Sequence, residues 1–104
     1  MTKGALTEGV YYILLSLMEP MHGYGIMQNV EQLSKGRVKL APGTLYGAIN
    51  TLLERGCISA LPGEKDSRKK AYRITQQGKA LLQGELLRLR ELLENGSRIM
   101  EGEQ

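Results

Sequence analysis

The sequence of 104 residues contains no tryptophan, no phenylalanine, one cysteine and one histidine. A lone cysteine, Cys57, excludes an internal disulfide, which agrees with a reducing, cytoplasmic compartment. No apolar run approaches the ~20 residues of a membrane-spanning helix, so no membrane partner is expected. Because five tyrosines supply all the aromatic surface, leucine and isoleucine must build the core, and this composition favours packed helices.

The residue types that usually carry catalysis or bind metal ions are also scarce. His22 and Cys57 together cannot supply the ligands of a zinc site. The sequence has no Ser or Cys set with a histidine and an acid on a plausible scaffold, and no glycine-rich phosphate loop. We therefore predict that the protein is not an enzyme and uses no cofactor or metal. His22 fits a pH switch or a packing role at a helix start, and Cys57 fits a redox sensor or a buried inert thiol.

Basic residues are concentrated in the middle of the chain. Residues 35–73 hold nine Lys and Arg against three acidic residues, whereas the net charge of the whole chain is only +3. A local positive field of this kind attracts phosphates whatever the average charge. A basic cluster alone fits a solvated surface loop equally well, so the segments beside it decide the interpretation.

Two amphipathic helices are predicted in the first third of the chain. Thr7 can cap a helix from Glu8 to about Met18, and a second helix is predicted from Met21 to about Ser34. Gly23, near the start of the second helix, indicates that a neighbouring backbone comes close there. The predicted inward positions are Val10, Ile13, Leu14 and Leu17 in the first helix, and Ile26, Met27, Val30 and Leu33 in the second.

A third helix is predicted over residues 42–55, with Pro42 at its first position and an apolar face that includes Leu45 and Ile49. Its opposite face, with Gly43, Thr44, Gly47, Asn50, Thr51 and Glu54, is small and polar. Such a face allows close approach to base pairs and leaves the first-turn amides to donate to phosphate. Asn50 on that face suits an adenine edge. The residues of this helix predicted to contact DNA are Gly43, Thr44, Tyr46, Gly47, Asn50 and Thr51.

A basic hairpin follows this helix directly. Residues 57–61 and 71–75 alternate as strands, and the loop 62–70 between them, called the wing below, is too long for a two-residue turn. A helix that can enter a groove, followed by a basic hairpin, is the arrangement of a winged helix-turn-helix, so duplex DNA is the leading partner. The wing residues predicted to contact DNA are Lys65, Arg68, Lys69 and Lys70.

The last helix carries a leucine seam. Leu82, Leu86, Leu89 and Leu93 are separated by steps of four, three and four residues, as in a coiled coil. Since little of the domain remains to cover this seam, it favours homodimerisation, with folding back onto the chain's own core as the alternative. Residues 95–97 are predicted to end or fray the helix. The predicted dimer interface comprises Val10, Ile13, Leu14, Leu82, Leu86, Leu89 and Leu93.

These elements together predict an α+β fold, mainly α. Residues 1–75 would form a winged helix-turn-helix of three helices and a two-stranded β-hairpin wing, and residues 76–104 a C-terminal dimerisation helix and tail. In order and spacing, several segments resemble the PadR-like family of bacterial transcriptional regulators over nearly the whole chain. These segments are residues 22–26, 42–49, 52–58 and 68–75, together with Gly78.

The resemblance implies a homodimeric, sequence-specific repressor that binds a near-palindromic operator. It implies that Gly43, Thr44 and Tyr46 contact the operator. It also implies wing contacts from residues 68–70 and places Tyr72, a further predicted DNA contact, near the base of the wing.

Two departures from the family pattern bear on function. Thr51 stands where many relatives have Arg or Lys, which motivates the alternative of a winged-helix protein-interaction module without DNA binding. The last helix has no aromatic residue of the kind that binds flat effectors in some relatives. A small hydrophobic effector is compatible with the sequence, and Tyr11 and Tyr12 are the aromatic residues that could serve it.

Overall fold

The computed structural model describes residues 5–62 and 70–102. The predicted α+β class, mainly α, and the presence of a C-terminal helix are confirmed. In chain order, the elements are α1 (Glu8–Ser16), β1 (Met21–His22), α2 (Gly23–Leu33), α3 (Pro42–Glu54), β2 (Ile58–Ala60), β3 (Ala71–Ile74) and α4 (Gln76–Glu101).

The sheet has three strands, so the prediction of a two-stranded hairpin was incomplete. Its strand order is β1-β3-β2, and both pairings are antiparallel. In β1, Met21 pairs with Tyr72 and His22 pairs with Ala71. Helix α2 therefore begins at Gly23, two residues later than predicted. A strand of two residues is too short to show alternation, and its partner lies far away in the sequence.

Helix α1 begins as predicted and ends earlier than predicted. The Thr7 hydroxyl accepts a hydrogen bond from the Val10 amide at 3.2 Å, which caps the helix. The helix ends at Ser16, because Leu17 turns out of helical geometry and its carbonyl accepts the amide of Ile74 at 2.8 Å. The end of α1 is thus joined to β3.

The core lies where α1, α2 and α3 meet the sheet and the first turns of α4. Leu33, the last residue of α2, was predicted to face inward but is 45% exposed. The seven largest fully buried side chains are Ile13, Leu14, Leu17, Ile26, Val30, Leu45 and Ile49.

A buried polar chain joins α2 to α1. The Ser16 hydroxyl donates to the Tyr12 carbonyl at 2.8 Å and accepts from the Asn29 amide at 2.9 Å. Ser16 is only 4% exposed, so both hydrogen bonds are needed to offset the cost of burying its hydroxyl. They fix the position of α2 along α1.

Three hydrogen bonds join the end of α3 to the start of α4. Thr75 donates from its hydroxyl to the Gly56 carbonyl at 2.6 Å and from its amide to the Cys57 carbonyl at 3.0 Å. Gln77 donates from Nε2 to the Arg55 carbonyl at 2.8 Å. The same Thr75 hydroxyl caps α4 by accepting the Gly78 amide at 3.1 Å. We call this group of contacts the α3–α4 junction.

Helix α4 runs without interruption to Glu101, so the predicted break at residues 95–97 was wrong. Asn95 accepts a hydrogen bond from Arg98 at 2.8 Å, one turn further on. A glycine inside a helix costs only about 1 kcal/mol, and the leucines and arginines around Gly96 favour the helix. The cost is too small to end it.

Gly78→Ala is expected to destabilise the protein by about 1–3 kcal/mol. A Cβ at residue 78 would lie 2.2 Å from the Cys57 carbonyl oxygen and 2.7 Å from Ile74 Cγ1, so the α3–α4 junction would have to open. Gly84→Ala, on the same helix with nothing within 4 Å, is the matched control and should stabilise by about 0.5–1 kcal/mol. Urea denaturation of both variants tests this. Equal stabilities would contradict the close contact at Gly78.

Candidate nucleic-acid interface

The outer face of α3 is a slim, exposed ridge. Leu45, Ile49 and Leu52 hold the opposite face in the core. A Cβ built on either of the ridge glycines would meet nothing within 4 Å. No side chain caps the helix at Ala41, which leaves first-turn amides for an outside acceptor. The exposed residues of this face are Gly43, Thr44, Gly47, Asn50, Thr51 and Glu54. We call the first five the α3 ridge; the acidic Glu54 follows them on the same face as the last residue of the helix.

Tyr46 sits beside this ridge and packs over the start of α2. A Cβ on Gly23 would lie 2.1 Å from the Tyr46 hydroxyl oxygen, so only glycine at 23 leaves room for this ring. The sequence predicted that a neighbouring backbone comes close to Gly23; the close neighbour is instead the Tyr46 side chain. Tyr46 keeps 44% of its surface exposed and fixes α3 against α2.

The base of the wing lies close to the α3 ridge. The Leu61 amide donates to the Ala71 carbonyl at 2.9 Å, which extends the β2–β3 pairing to the edge of the wing. Tyr72 follows Ala71 in β3. Its electrostatic interaction with Tyr46 is the smaller of the two causes that raise the pKa of Tyr72. His22 precedes the glycine that Tyr46 covers and pairs with Ala71, so the exposed Lys70 comes just before β3 near the contact between α2 and α3. The predicted contacts Lys65, Arg68 and Lys69 lie outside the described residues.

Tyr72 does not belong to the exposed site, which corrects its prediction as a DNA contact. Its side chain is only 7% exposed and packs in the core of the sheet. Burial is the main cause that raises the pKa of Tyr72. Its strand neighbour Arg73, opposite Ser59, is exposed instead. The alternation of β3 could have assigned Tyr72 inward and Arg73 outward from the sequence.

Some residues predicted for a dimer interface are buried in the chain's own core, and others are exposed on α4. Ile13, Leu14 and Leu82 are at most 5% exposed in the chain's own core, so they have no surface to offer a partner and we remove them from the interface. Val10 is half-buried. The exposed apolar residues of α4 are Leu86, Leu87, Leu89, Leu92, Leu93, Ile99 and Met100.

The remaining candidate residues show no constellation for catalysis or metal binding. Cys57 is 5% exposed, as expected for a buried thiol, and His22 is exposed. Across residues 5–62 and 70–102, no three His, Cys, Asp or Glu side chains come together where a metal ion could bind. Within the same residues, no helix has both the length and the apolar character needed to cross a membrane.

The chain belongs to the transcriptional regulator PadR-like family, whose model matches residues 12–84. This match covers α2, α3, the sheet and the first turns of α4, and it includes the α3 ridge and the wing. The description of the family is that of a transcriptional regulator.

A curated relative is similar to part of the chain. An uncharacterized 37.1 kDa protein in a transposon of Streptomyces fradiae is 38% identical over 66 residues, which are 64% of this chain and 18% of that protein. The chain therefore spans less than a fifth of the length of that curated relative.

Two solved structures are similar over most of the chain. A PadR-like transcription factor from Bacteroides fragilis is 27% identical with a TM-score of 0.70, and the similarity covers 86% of this chain and 87% of that one. A PadR family regulator from Eggerthella lenta has a TM-score of 0.71 at 24% identity, covering 88% and 80%, and shows the shared fold.

Gly23→Ala and Tyr46→Ala are expected to be strongly non-additive. Gly23→Ala alone should cost about 1–2 kcal/mol, because the new methyl group displaces the Tyr46 ring. Once Tyr46 has become alanine, the same change should be nearly neutral, giving a coupling energy of about 1–2 kcal/mol. Denaturation of the two single variants and the double variant measures the coupling. Additive free energies would show that Gly23 does not hold Tyr46.

Proposed function

We propose that the protein is a homodimeric transcriptional repressor that binds a near-palindromic operator in double-stranded DNA. The observation that carries this proposal is the position of the α3 ridge beside the base of a basic wing. The family assignment supports a DNA-binding regulator. In this proposal residues 1–75 bind DNA, residues 76–104 form the dimer, and the protein acts in the cytoplasm.

The α3 ridge suits the major groove because it is narrow and uncharged up to Glu54, the last residue of the helix. Gly43 and Gly47 let the helix backbone come close to the base edges. Asn50 would donate to and accept from an adenine, and Thr44 with the first-turn amides would bind phosphate. Tyr46, held over Gly23, would direct its hydroxyl to the backbone beside the groove. Thr51, at the far end of the ridge, is a weaker candidate because its hydroxyl donates to the Gly47 carbonyl.

The wing would supply most of the charge. Its sequence contributes Lys65, Arg68, Lys69 and Lys70, and the exposed Arg73 follows in β3. Each cation that neutralises a phosphate releases condensed counterions, and this release gives affinity without sequence preference. The wing would therefore hold the flanking backbone while α3 distinguishes base pairs.

Dimerisation would pass through the exposed part of α4. The helix face that carries Leu82 in the core continues through Leu86, Leu89 and Leu93, beyond the reach of the chain's own core. The molecule measures 62 × 28 × 20 Å, so α4 projects well past the domain. A second copy is the partner that this seam fits, because two identical seams can cover each other about a twofold axis.

Lys70→Gln should lower affinity for every duplex and flatten the salt dependence. The slope of log K against log salt should fall by about 0.9 for each lost phosphate contact, or about two units for a dimer. Arg90→Gln, which removes an exposed cation from α4, is the matched control and should leave the slope unchanged. Fluorescence anisotropy at several salt concentrations, on a duplex selected from a random pool, measures the affinity and the salt dependence of each variant.

Asn50→Ala should instead weaken the preference for one base at one position of each half-site. The free energy that distinguishes this base from the others should fall by about 1–3 kcal/mol. Repeating the selection with this variant tests it. If the wild-type chain selects no duplex at moderate salt, the DNA-binding proposal fails and a protein-interaction module becomes the better explanation.

The double change Leu86→Ser with Leu93→Ser should raise the dissociation constant of the dimer by about tenfold or more. The physical reason is that the dimer loses the apolar burial of two leucines. Leu87→Ser is the control: this leucine is 67% exposed, but lies about 140° around the helix from Leu82. Sedimentation equilibrium of the three proteins measures the dissociation constants. A monomeric wild type, or equal effects of the two changes, would contradict an interface on this seam.

A further inference from the structure

The side chain of His22, the only histidine of the chain, is exposed at the start of α2. It occupies the cap position of this helix but makes no capping hydrogen bond. Within the described part of the chain, it also has no ion-pair partner. The imidazole therefore does not fill the packing role that its sequence position allowed, and both of its nitrogens are available to an outside ligand.

The sheet turns this side chain outward. His22 pairs with Ala71, whereas the preceding pair, Met21 with Tyr72, faces the core. Because neighbouring residues of a strand point to opposite sides, His22 and Ala71 lie on the outer side of the sheet. The exposed Arg73, two residues after Ala71, lies on that side too. Diagonal neighbours of this kind are about 7–8 Å apart, so the two side chains can reach the same anion.

His22 also lies next to the contact between α2 and α3. The residue after it is Gly23, where only a glycine leaves room for the ring of Tyr46. On the paired strand, the exposed Lys70 comes just before Ala71, the partner of His22. Because Tyr46 borders the α3 ridge, a DNA strand that follows this ridge would pass within reach of the imidazole.

The electrostatic surroundings of His22 favour an anion. The titratable and charged side chains around it in the described part of the chain are Tyr24 on α2, Tyr46 on α3, and Lys70, Tyr72 and Arg73 at β3. The acid closest to it in the sequence, Glu19, is exposed in the turn before β1 and does not pair with it. The positive end of the α2 dipole adds to the local positive potential. A phosphate of the DNA backbone is an anion that fits these surroundings.

We propose that His22 is a further contact to the DNA backbone, and that protonation of its ring makes DNA affinity rise as the pH falls. This proposal rests on the DNA-binding function proposed above. A neutral imidazole donates one hydrogen bond, whereas the imidazolium donates two and also pairs with the phosphate charge. Binding at a pH where the unbound ring is neutral therefore takes up a proton. Histidine is the side chain that normally changes its charge between about pH 5 and 8, and this chain has one, so the uptake can be assigned.

The contact is tested by measuring affinity for the selected duplex between about pH 5.5 and 8 at constant ionic strength. Wild-type affinity should rise by about tenfold as the pH falls, or about threefold for each protomer of a dimer. His22→Gln should keep the weaker, high-pH affinity throughout. His22→Arg should keep the stronger, low-pH affinity throughout, because the arginine stays charged.

Gln32→His, combined with His22→Gln, is the matched control. It places an exposed histidine on the same helix, ten residues and about 15 Å further along, and should not restore the pH dependence. Urea denaturation should give His22→Gln the stability of the wild type, because the side chain is exposed and its strand pairing uses the backbone. A change in affinity would then not come from a change in folding.

A second measurement counts the protons. The heat of DNA binding at neutral pH, compared between buffers of different ionisation enthalpy, should show proton uptake by the wild type and none by His22→Gln. Equal affinity at every pH, or a pH dependence and proton uptake that survive His22→Gln, would overturn the contact while leaving the proposed function intact. Failure to bind any duplex at any pH would overturn both.

Discussion

The α3–α4 junction is the constraint on which the rest of the architecture depends. Gly56 turns the chain at a φ of 75°, and Gly78 lets α4 come into contact with the Cys57 carbonyl. Three hydrogen bonds then hold the two helices end to end. The helix that carries the ridge is thereby attached to the helix that carries the leucine seam. Any dimer built through α4 must therefore fix the distance between two copies of α3.

One face of α4 serves two purposes along its length. Near the start of the helix, Gly78, Leu82 and Glu85 are buried by the chain's own core. Further on the same face is exposed, because the domain ends while the helix continues. An exposed leucine stripe costs solubility unless something covers it. The continuity of this face explains why a heptad-like spacing spans both parts, and why spacing alone could not tell which leucines face the core.

Much of the fold was predictable from the sequence because the helices have strong apolar periods and recognisable ends. Thr7, Pro42 and Thr75 all begin helices where predicted. The errors occurred where tertiary contacts decide. Strand β1 forms only because β3 is available to pair with it, and Ile13 and Leu14 lie inside because α1 is central. The α3 ridge was predicted residue by residue, because the helical period alone places its positions opposite the buried face.

The chemistry of the α3 ridge limits how the proposed operator complex can work. Its five residues carry no charge, and the exposed Glu54 that follows them on the same face is acidic, so α3 can distinguish bases but contributes none of the favourable electrostatic free energy that dominates affinity. That contribution must come from Lys70, Arg73 and the rest of the wing, which hold the backbone without distinguishing sequence. A single protomer would thus bind weakly and with a short recognition site. Specific binding then requires two ridges held at the spacing of successive major grooves, and only a rigid connection from α3 through the junction to α4 can maintain that spacing.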